Sequence, residues 1–473
     1  MSVWLGGLLL AAVTAWLATA WLATAWWHSR KPLPQGLHVR GSWRRAEALA
    51  LLLDEAFLDA RGQLQRHQTI FAEWQRLIDQ ARRLVVVDLF MLDDGPVGRS
   101  LCQALIRRKT QVPGLETVVL VDPINHCYGG CPAPQLEALR QAGIRTVICD
   151  LTPGRDPNPG WTALWRGLFR PLGNSPRGGW LPNPLGAGRV TLRSYLSLLN
   201  LHANHRKTLV VDHGDGWQAV VSSANADSDS RDYRNAALRL SGPAALDLLH
   251  SELALARRSG LIGTPRCPAP PPADPAPALP RLRLLTEGAI RDALLTIVRK
   301  ARPGETLELC AYYLAHRRVI HALLAAHRRG VTLRLLLDPN ESHFGRASPG
   351  IPNRQTAREL ARAGLAIRWN GNARSHAHGK WLLRHGGGRP ATLLIGSANL
   401  SRRSLDDHNF EANIQLEARN DHPVIRQARE SFARYWHNRH GELHSRPFPE
   451  HDDATLWRYW RYRLMEASGW STF

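Results

Sequence analysis

The chain has 473 residues, enough for roughly two to three domains of ordinary size. Lysine and arginine number 61 against 40 aspartate and glutamate residues, a formal net charge of +21. This charge favours a polyanionic partner: nucleic acid, an anionic membrane surface or a phosphate-bearing substrate. The cysteine and histidine spacing excludes a zinc cluster, and the six cysteines are expected to be mostly buried thiols, with a Cys127–Cys131 disulfide as the alternative.

The N-terminal segment 3–27 carries no charged residue and is long enough to cross a bilayer as a helix. Trp26 and Trp27 at its end are typical of the aromatic belt at a membrane interface. A cleaved signal peptide is the alternative, but the run is too long and no basic residue precedes it. We therefore predict an uncleaved single-pass anchor over 1–30. The basic residues after it predict that the remaining chain is cytoplasmic, by the positive-inside rule.

Short apolar runs occur in the same order in both halves of the chain. The first half has them at 82–88 and 117–123, and the second half at 305–310 and 334–339. A helix-like stretch ending in Leu-x-x-Ala-Gly follows the second run in each half. Apolar runs that alternate with helical stretches predict an α/β sheet. The sequence therefore indicates an internal duplication.

The first half carries an insertion at about 150–196 that the second half lacks. Within it, apolar side chains recur at helical spacing: Trp161, Leu164, Trp165, Leu168, Phe169 and Leu172. Two interpretations remain open. The helix packs on the protein core, or it lies in the lipid headgroup layer beside the active site.

One set of polar residues occurs twice and carries the chemistry. The first copy reads His-x-Lys-x4-Asp and is followed by a Ser-Ser-Ala-Asn turn: His205, Lys207, Asp212, Ser223 and Asn225. The second copy reads His-x-Lys and is followed by a Gly-Ser-Ala-Asn turn: His378, Lys380, Ser397 and Asn399. The His-x-Lys spacing puts both side chains on one face of a strand.

These residues resemble the phospholipase D superfamily, whose signature is His-x-Lys-x4-Asp followed by a Gly/Ser-Ser-x-Asn turn. The resemblance covers about residues 65–440. The N-terminal anchor and the run 396–411, Gly-Ser-Ala-Asn-Leu-Ser-Arg-Arg-Ser-Leu followed by Asn-Phe-Glu, are most similar to bacterial cardiolipin synthases and related phosphatidyltransferases. The resemblance implies an α/β fold in which two duplicated phospholipase D-like α/β domains pack around one active site, with an N-terminal transmembrane helix.

The domain boundaries follow from the repeats and from a Pro-rich stretch at 268–277. We predict an anchor (1–30), a first phospholipase D-like domain (31–262), a linker (263–281), a second phospholipase D-like domain (282–445) and an aromatic, basic tail (446–473). The tail holds Trp457 to Leu464, which is either a second membrane contact or a docking helix.

A doubled histidine and lysine set suits attack on a phosphodiester. A neutral imidazole avoids the repulsion that an anionic nucleophile meets and forms a phospho-histidine intermediate, while a protonated imidazole supplies a proton to the leaving alkoxide. By resemblance, His205 is the nucleophile and His378 the general acid and base. The lysines supply fixed positive charge, and the asparagine amides donate hydrogen bonds to the phosphoryl oxygens. The substrate-binding residues are then Ser223, Asn225, Ser397 and Asn399. No metal or cofactor is expected.

The second copy departs from the family pattern at His385, where the family has aspartate. Asp212 keeps that residue in the first copy, and we expect it to hold the local architecture of the motif. Downstream, Glu411 occupies the position of a carboxylate that orients an imidazole, and the equivalent residue in the first half is Asn235. We expect Glu411 to orient His378, and Asn235 to orient His205. Asp212 and Glu411 complete the predicted catalytic set.

The sequence thus predicts a phosphatidyltransferase of the bacterial inner membrane, acting on anionic or zwitterionic phospholipid. Hydrolysis is the same mechanism with water as acceptor. A metal-independent endonuclease is a second alternative, because the superfamily also cuts DNA and the chain is basic. A catalytically silent lipid-binding protein is a third, because of His385. The anchor and the aromatic insertion favour lipid over nucleic acid as the partner.

Overall fold

An apolar helix opens the chain. In the computed structural model, which describes residues 2–186, 188–272, 277–343, 346–371 and 375–473, helix α1 spans Ser2–Arg30. Its segment Gly7–Arg30 has a mean hydropathy of 1.8, and none of its apolar window is buried. By length and composition, α1 is able to cross a membrane.

The first half forms a sheet of eight strands in the order β3-β2-β11-β10-β9-β4-β5-β6. These strands are β2 (Leu49–Leu58), β3 (Leu64–His67), β4 (Leu84–Leu89), β5 (Glu116–Val121), β6 (Arg145–Ile148), β9 (Lys207–His213), β10 (Gly216–Ser222) and β11 (Asn235–Ser241). The helices are α2 (Ile70–Gln80), α3 (Pro96–Gln111), α4 (Pro134–Gln141), α5 (Pro159–Leu164), α6 (Leu192–Leu198) and α7 (Pro243–Arg258). A small hairpin in the insertion pairs β7 (Leu181–Pro182) with β8 (Arg189–Val190).

The second half forms a sheet of nine strands in the order β1-β12-β20-β19-β18-β13-β14-β17-β21. These strands are β1 (Arg44–Arg45), β12 (Arg281–Thr286), β13 (Glu305–Ala311), β14 (Thr332–Leu337), β17 (Ala366–Asn370), β18 (Lys380–Gly386), β19 (Ala391–Gly396), β20 (Ala412–Ala418) and β21 (Ser445–Pro447). A separate pair is β15 (Ser342–His343) with β16 (Arg346–Ala347). The helices are α8 (Gly288–Arg299), α9 (Arg317–Arg328), α10 (Asn353–Arg362), α11 (Arg402–Leu405), α12 (Pro423–His437) and α13 (Leu456–Ser468).

The duplication predicted from the repeats is confirmed by the strand order. Seven strands of the first sheet, β2-β11-β10-β9-β4-β5-β6, run in the same order as β12-β20-β19-β18-β13-β14-β17 of the second. The pairings also agree, because β4 and β13 each join an antiparallel neighbour on one side and a parallel one on the other. Each half is therefore the same α/β unit, as the resemblance implied.

One continuous hydrophobic core joins the two sheets. It contains buried side chains of β10 and β11 from the first half, of β19 and β20 from the second half, and of the helices α7 and α12. Such apolar burial is the main force that stabilises a packed interface between sheets. Because the halves share this core, the ends of their central strands are held at fixed positions relative to each other.

The insertion is helical, but its apolar residues do not form a single face. After α5 the chain continues as a π-helical turn over Trp165–Phe169 and a 3-10 turn over Arg170–Leu172. Trp161 stacks on Phe169 with ring centroids 5.9 Å apart, and its indole donates to the Leu196 carbonyl oxygen at 3.0 Å. The leucines at 164, 168 and 172 are exposed. The insertion therefore packs on the protein with one side and leaves an apolar side uncovered.

Two further expectations concern the linker and the thiols. Residues 273–276, in the middle of the predicted Pro-rich linker, lie outside the described residues. All six cysteines are free, and four of them are buried.

Candidate active site

The two motifs meet where the halves join. His205 stands just before β9, and His378 stands just before β18. The backbone of each motif pairs with a loop of the other half: the His205 N–H donates to the Phe410 carbonyl oxygen at 2.8 Å, and the Gly379 N–H donates to the Arg234 carbonyl oxygen at 2.7 Å. Phe410 and Arg234 lie at equivalent places, just before β20 and β11. Each histidine is thus placed against the loop that orients it.

The orienting contacts are crossed between the halves. The Nδ1 atom of His205 lies 3.0 Å from the Glu411 carboxylate, and the Nδ1 atom of His378 lies 2.9 Å from Oδ1 of Asn235. The sequence prediction, which paired Glu411 with His378 and Asn235 with His205, is wrong. The reason is that the loops before β11 and β20 both cross the interface to reach the motif of the other half.

These contacts define which ring nitrogen carries the proton. Glu411 accepts a hydrogen bond from Nδ1–H of His205, which leaves the lone pair of a neutral ring on Nε2. Asn235 donates through Nδ2 to the Ser230 carbonyl oxygen at 3.3 Å, so its Oδ1 must accept from Nδ1–H of His378. Both imidazoles therefore present Nε2 as the reactive atom.

The two motif serines lie behind these orienting groups. The Ser223 hydroxyl donates to Oδ1 of Asn235 at 3.1 Å, and the Ser397 hydroxyl donates to the Glu411 carboxylate. Both serines have an exposed fraction of 0%. The sequence predicts them as substrate-binding residues, but the structure makes them positioning residues, because each hydroxyl already donates a hydrogen bond and has no exposed surface.

Each motif lysine is held between its own strand and an aromatic ring. Lys207 Nζ donates to the His205 carbonyl oxygen at 2.7 Å, and Lys380 Nζ donates to the His378 carbonyl oxygen at 2.6 Å. The Phe90 ring lies 4.9 Å from Lys207 Nζ, and the Tyr312 ring lies 5.2 Å from Lys380 Nζ. Such contacts stabilise a cation away from water. The ammonium groups are fixed, but neither has a carboxylate within salt-bridge distance among the described residues.

Burial and mutual repulsion lower the pKa values of the histidines and lysines in this cluster. Burial lowers the pKa of His205 to about 4. Glu411 acts in the opposite direction, and the positive charges of Lys207 and Lys380 lower the pKa further. Burial, followed by the two lysines, also holds the pKa of His378 well below its usual value. The pKa of Lys207 is lowered to about 7 by burial, and that of Lys380 is strongly lowered by burial and by Lys207. A bound phosphodiester anion would reverse these shifts by attraction.

Each motif asparagine has a buried polar atom that is free to bind a ligand. Oδ1 of Asn225 and Oδ1 of Asn399 are buried without a hydrogen-bond partner among the described residues. The Asn225 amide nitrogen makes a weak contact to the Met91 sulfur at 3.9 Å. Because the two ends of an amide exchange by a flip of the side chain, each asparagine is able to turn its N–H₂ group toward a phosphoryl oxygen.

Asp212 does not lie with these groups. It is near the far end of β9, about 23 Å along the strand from His205. Its Oδ1 accepts the backbone N–H groups of Arg83 and Leu84, both at 2.8 Å, at the start of β4. The prediction that Asp212 is a catalytic residue is therefore wrong, because its carboxylate anchors a turn. Its counterpart His385 lies 3.3 Å from Glu308.

A buried ion cluster supports the site from behind. Arg206, the middle residue of the first motif, points away from the motif histidines and is fully buried. Its guanidinium contacts Glu252 at 3.2 Å and Glu287 at 2.8 Å, which belong to different halves. The Glu411 N–H donates to the same Glu287 carboxylate at 3.2 Å. Arg206 therefore fixes the loop that carries Glu411.

Three residues of the site were missed by sequence reasoning. Phe90 and Tyr312 directly follow the first apolar run of each half, so the repeat itself carried a signal for them. Arg403 had no such signal. Its Nε is buried without a hydrogen-bond partner among the described residues, and its positive charge interacts with Glu411 and Asp122. It adds a third cation to the site.

The neighbouring histidines, His376 and His202, have separate roles. His376 Nδ1 lies 3.2 Å from the Asp338 carboxylate, which also accepts the Ala377 N–H at 2.8 Å. In the first half, the equivalent Asp122 accepts the Asn204 N–H at 2.6 Å. Both carboxylates thus hold the residue just before a motif histidine. Burial lowers the pKa of His202 to about 4, and its ring contacts the Arg155 carbonyl oxygen.

A family model described as "Cardiolipin synthase, PLD-like domain" matches residues 294–436, which include the second motif, Asn399 and Glu411. The strand order of the first half repeats that unit. Residues 294–436 are therefore similar to a phospholipase D-like domain, and the repeated fold extends that likeness to both halves. By that description, residues 294–436 are phosphatidyltransferase-like. A comparison with curated protein sequences finds no match.

Comparison with solved structures agrees on the fold. A phosphatidylserine synthase from Haemophilus influenzae Rd KW20 aligns with a TM-score of 0.57 at 11% identity, over 92% of this chain and 95% of that one. The phospholipase D family member Nuc from Salmonella typhimurium aligns with a TM-score of 0.27 at 20% identity, over 35% of this chain and 97% of that one. The first alignment spans both halves, so the duplicated fold is shared over nearly the whole length.

Proposed function

We propose that the protein is a membrane-bound, cardiolipin synthase-like phosphatidyltransferase that acts through a phospho-histidine on His205. The observation that carries this proposal is the crossed pair of imidazoles, each with a fixed Nδ1–H, facing two buried lysines. This arrangement offers a neutral nucleophile, a second proton-carrying ring and an anion site. Attack on a phosphodiester needs all three.

In the first step, Nε2 of His205 attacks phosphorus and the bond from phosphorus to the leaving alkoxide oxygen breaks. His378, protonated when the anionic substrate is bound, gives its Nε2 proton to that oxygen, so that an alcohol leaves. The ring of the phosphorylated His205 carries a positive charge, and Glu411 at 3.0 Å balances it. Lys207, Lys380 and the two asparagine amides stabilise the charge on the phosphoryl oxygens.

In the second step, an acceptor alcohol gives its proton to Nε2 of His378, and its oxygen attacks the phosphorus. The bond from phosphorus to Nε2 of His205 breaks, which restores both rings. With a lipid glycerol as acceptor, the product is a phospholipid with two phosphatidyl groups; with water, it is phosphatidic acid. The second case is the hydrolase alternative.

Lipid is favoured over DNA as substrate by the surroundings of the site. Helix α1 is long and apolar enough to span a bilayer, and the insertion next to it leaves leucines exposed. The family description that matches residues 294–436 names cardiolipin synthase. The net charge of +21 suits an anionic membrane as well as it suits DNA.

The test is to incubate the full-length protein with phosphatidylglycerol, phosphatidylethanolamine and plasmid DNA in parallel, with His205→Ala as the matched inactive control. Cardiolipin formed by the wild type without added divalent metal is the expected result. Phosphatidic acid alone would assign the hydrolase alternative. Nicked plasmid without lipid turnover would overturn the proposal, and no turnover of any substrate would point to a silent lipid-binding protein.

A further inference from the structure

Two helical segments on the same side of the molecule expose large apolar side chains. The first is the insertion, where Leu164, Leu168 and Leu172 are exposed by 41%, 61% and 75%. The second is α13 near the C-terminus, where Trp457, Trp460 and Leu464 are exposed by 57%, 62% and 68%. In α13 the exposed residues recur at three- and four-residue spacing and form one face of the helix, while in the insertion they lie on the side that does not pack on the protein. Faces of this size in a soluble protein mark an interaction surface.

The end of α13 packs against the start of the insertion. Gly469, which ends α13 with φ +80°, lies against the backbone of Pro157, two residues before α5. A side chain at Gly469 would put its Cβ 2.0 Å from the Pro157 carbonyl oxygen, so the close approach requires glycine here. The exposed faces of the insertion and α13 therefore belong to neighbouring parts of one surface.

Helix α1 is fixed to the same place. The Trp21 indole donates to the Gly160 carbonyl oxygen at 2.8 Å, and the Asp156 N–H donates to the His28 carbonyl oxygen at 3.0 Å. Trp21 lies about 13 Å along the helix from Arg30, where α1 ends. If α1 crosses a bilayer, the start of α5 lies deeper in the bilayer than Arg30, the last residue of α1. The insertion cannot stay in water while α1 is in lipid.

The charges of both segments suit an anionic lipid surface. Residues 161–200 contain no aspartate or glutamate, and their basic residues are Arg166, Arg170, Arg177, Arg189 and Arg193. In α13 the exposed tryptophans alternate with Arg458, Arg461 and Arg463. Tryptophan prefers the membrane interface, and long arginine side chains reach the phosphates from an apolar face. A protein partner would need no such combination.

The surface borders the candidate active site. Arg402 is the neighbour of Arg403, the third cation of the site. It donates to the carbonyl oxygens of Glu466 and Ala467 at the end of α13. Gly154, at the start of the insertion, lies against the ring of Phe410, whose carbonyl oxygen accepts the His205 N–H. Both membrane-facing segments are thus attached directly to loops that carry reactive groups.

We propose that the insertion and α13, together with the end of α1, form one membrane-embedded face that holds the rim of the active site in the lipid headgroup layer. The occupant of this face is the bilayer itself. This inference rests on the proposed function, because it takes a phospholipid as the substrate. The contact of the face with the membrane does not depend on turnover. A phospholipid would then reach His205 by moving within the headgroup layer, without leaving the membrane.

Site-specific fluorescence tests this directly. Single cysteines replace Leu168, Leu464 or, as a control, Asp215, in a full-length background with Cys131→Ser and Cys267→Ser. Asp215 is exposed at the β9–β10 turn, at the end of β9 remote from His205. Each variant is labelled with an environment-sensitive dye and reconstituted into phosphatidylglycerol vesicles that contain nitroxide lipid. We expect strong quenching at 168 and 464 and none at 215; an unquenched label at 464 would overturn the proposal.

A second measurement separates this inference from the proposed function. The double variant Trp460→Glu with Leu464→Glu is expected to lose about tenfold of its turnover of vesicle lipid, with turnover of a monomeric short-chain lipid unchanged. The control variant, His213→Glu with Gln111→Glu, adds the same charge at the remote end and is expected to keep both activities. If short-chain lipid is not turned over even by the wild type, the proposed function fails while the quenching result still stands. If the double variant instead dissociates a dimer in detergent, the face is a protein interface and the membrane proposal is wrong.

Discussion

The two halves present the same imidazole in two different electrical settings. His205 has a carboxylate at Nδ1 and His378 has an amide, although both rings precede equivalent strands and both have a lysine two residues further on. A carboxylate stabilises a positive ring, while an amide only fixes its orientation. The half that keeps the family signature intact therefore receives its carboxylate from the half that has lost the motif aspartate. Specialisation has occurred through the contacts between the halves.

The largest effect is expected from removing the ring that carries the phosphoryl group. His205→Ala should abolish the phospho-adduct and lower turnover at least about 10⁴-fold, because the proposed intermediate forms on that ring. His378→Ala should be partly rescued by a substrate with an aryl oxide leaving group, which departs without a proton. Rapid-quench trapping with labelled lipid and peptide mapping measures both. An adduct mapped to His378 would reverse the roles of the two halves.

Replacing Glu411 with glutamine should have the next largest effect. The change keeps the shape and the hydrogen bond to His205 but removes the negative charge that balances the phosphorylated ring, so kcat should fall about 10²- to 10⁴-fold. Glu442→Gln is the matched control, because Glu442 lies 2.7 Å from the buried His444 and has no contact with the motifs. Steady-state kinetics on both variants gives the comparison. Equal losses would mean that the charge of Glu411 has no special role.

Asn235→Asp makes the two settings alike and should change the pH profile more than the rate. A carboxylate beside Nδ1 of His378 favours the protonated ring, which raises its pKa by about one to three units. Since the proposed mechanism needs His378 protonated for the first step, the alkaline limb of kcat/KM should move to higher pH. The acid limb, which reports on neutral His205, should stay in place. Movement of the acid limb alone would show that His378 acts as the nucleophile.

The repeats and motifs predicted most of the fold and the members of the site from sequence. They did not predict which members touch. The position of Glu411 after Asn399 is a spacing within one half, and it contains no information on how the sheets dock. The contact to His205 exists because the Phe410 backbone pairs with the motif of the other half. A pairing set by packing between domains is not present in local spacing.

Two other differences have the same origin. The helical period in the insertion placed six apolar residues on one face, but a π-helical turn at Trp165–Phe169 rotates them into a packed side and an exposed side. The repeated aspartates Asp122 and Asp338 were matched as sequence, and only the structure shows that each holds the backbone beside a motif histidine. Repetition identifies equivalent positions, and the tertiary contacts give them their roles.

The smallest expected effects concern the motif aspartate. Asp212→Asn should lower the free energy of unfolding by about 1–3 kcal/mol, because one ionised oxygen now accepts the N–H groups of both Arg83 and Leu84. Turnover per folded molecule should not change, since the turn is remote from the histidines. Thermal or denaturant unfolding together with an active-site titration checks both statements.

Restoring the family residue in the second half should not mirror that loss. In His385→Asp, the new carboxylate would face Glu308, which now lies 3.3 Å from the His385 ring. The corresponding turn is already closed by Glu305, whose carboxylate accepts the Arg302 N–H at 2.7 Å. The substitution should therefore destabilise the protein by about 1 kcal/mol through like-charge repulsion in a partly buried place. A gain in stability would mean that the second half still has the architecture for the aspartate of the family pattern.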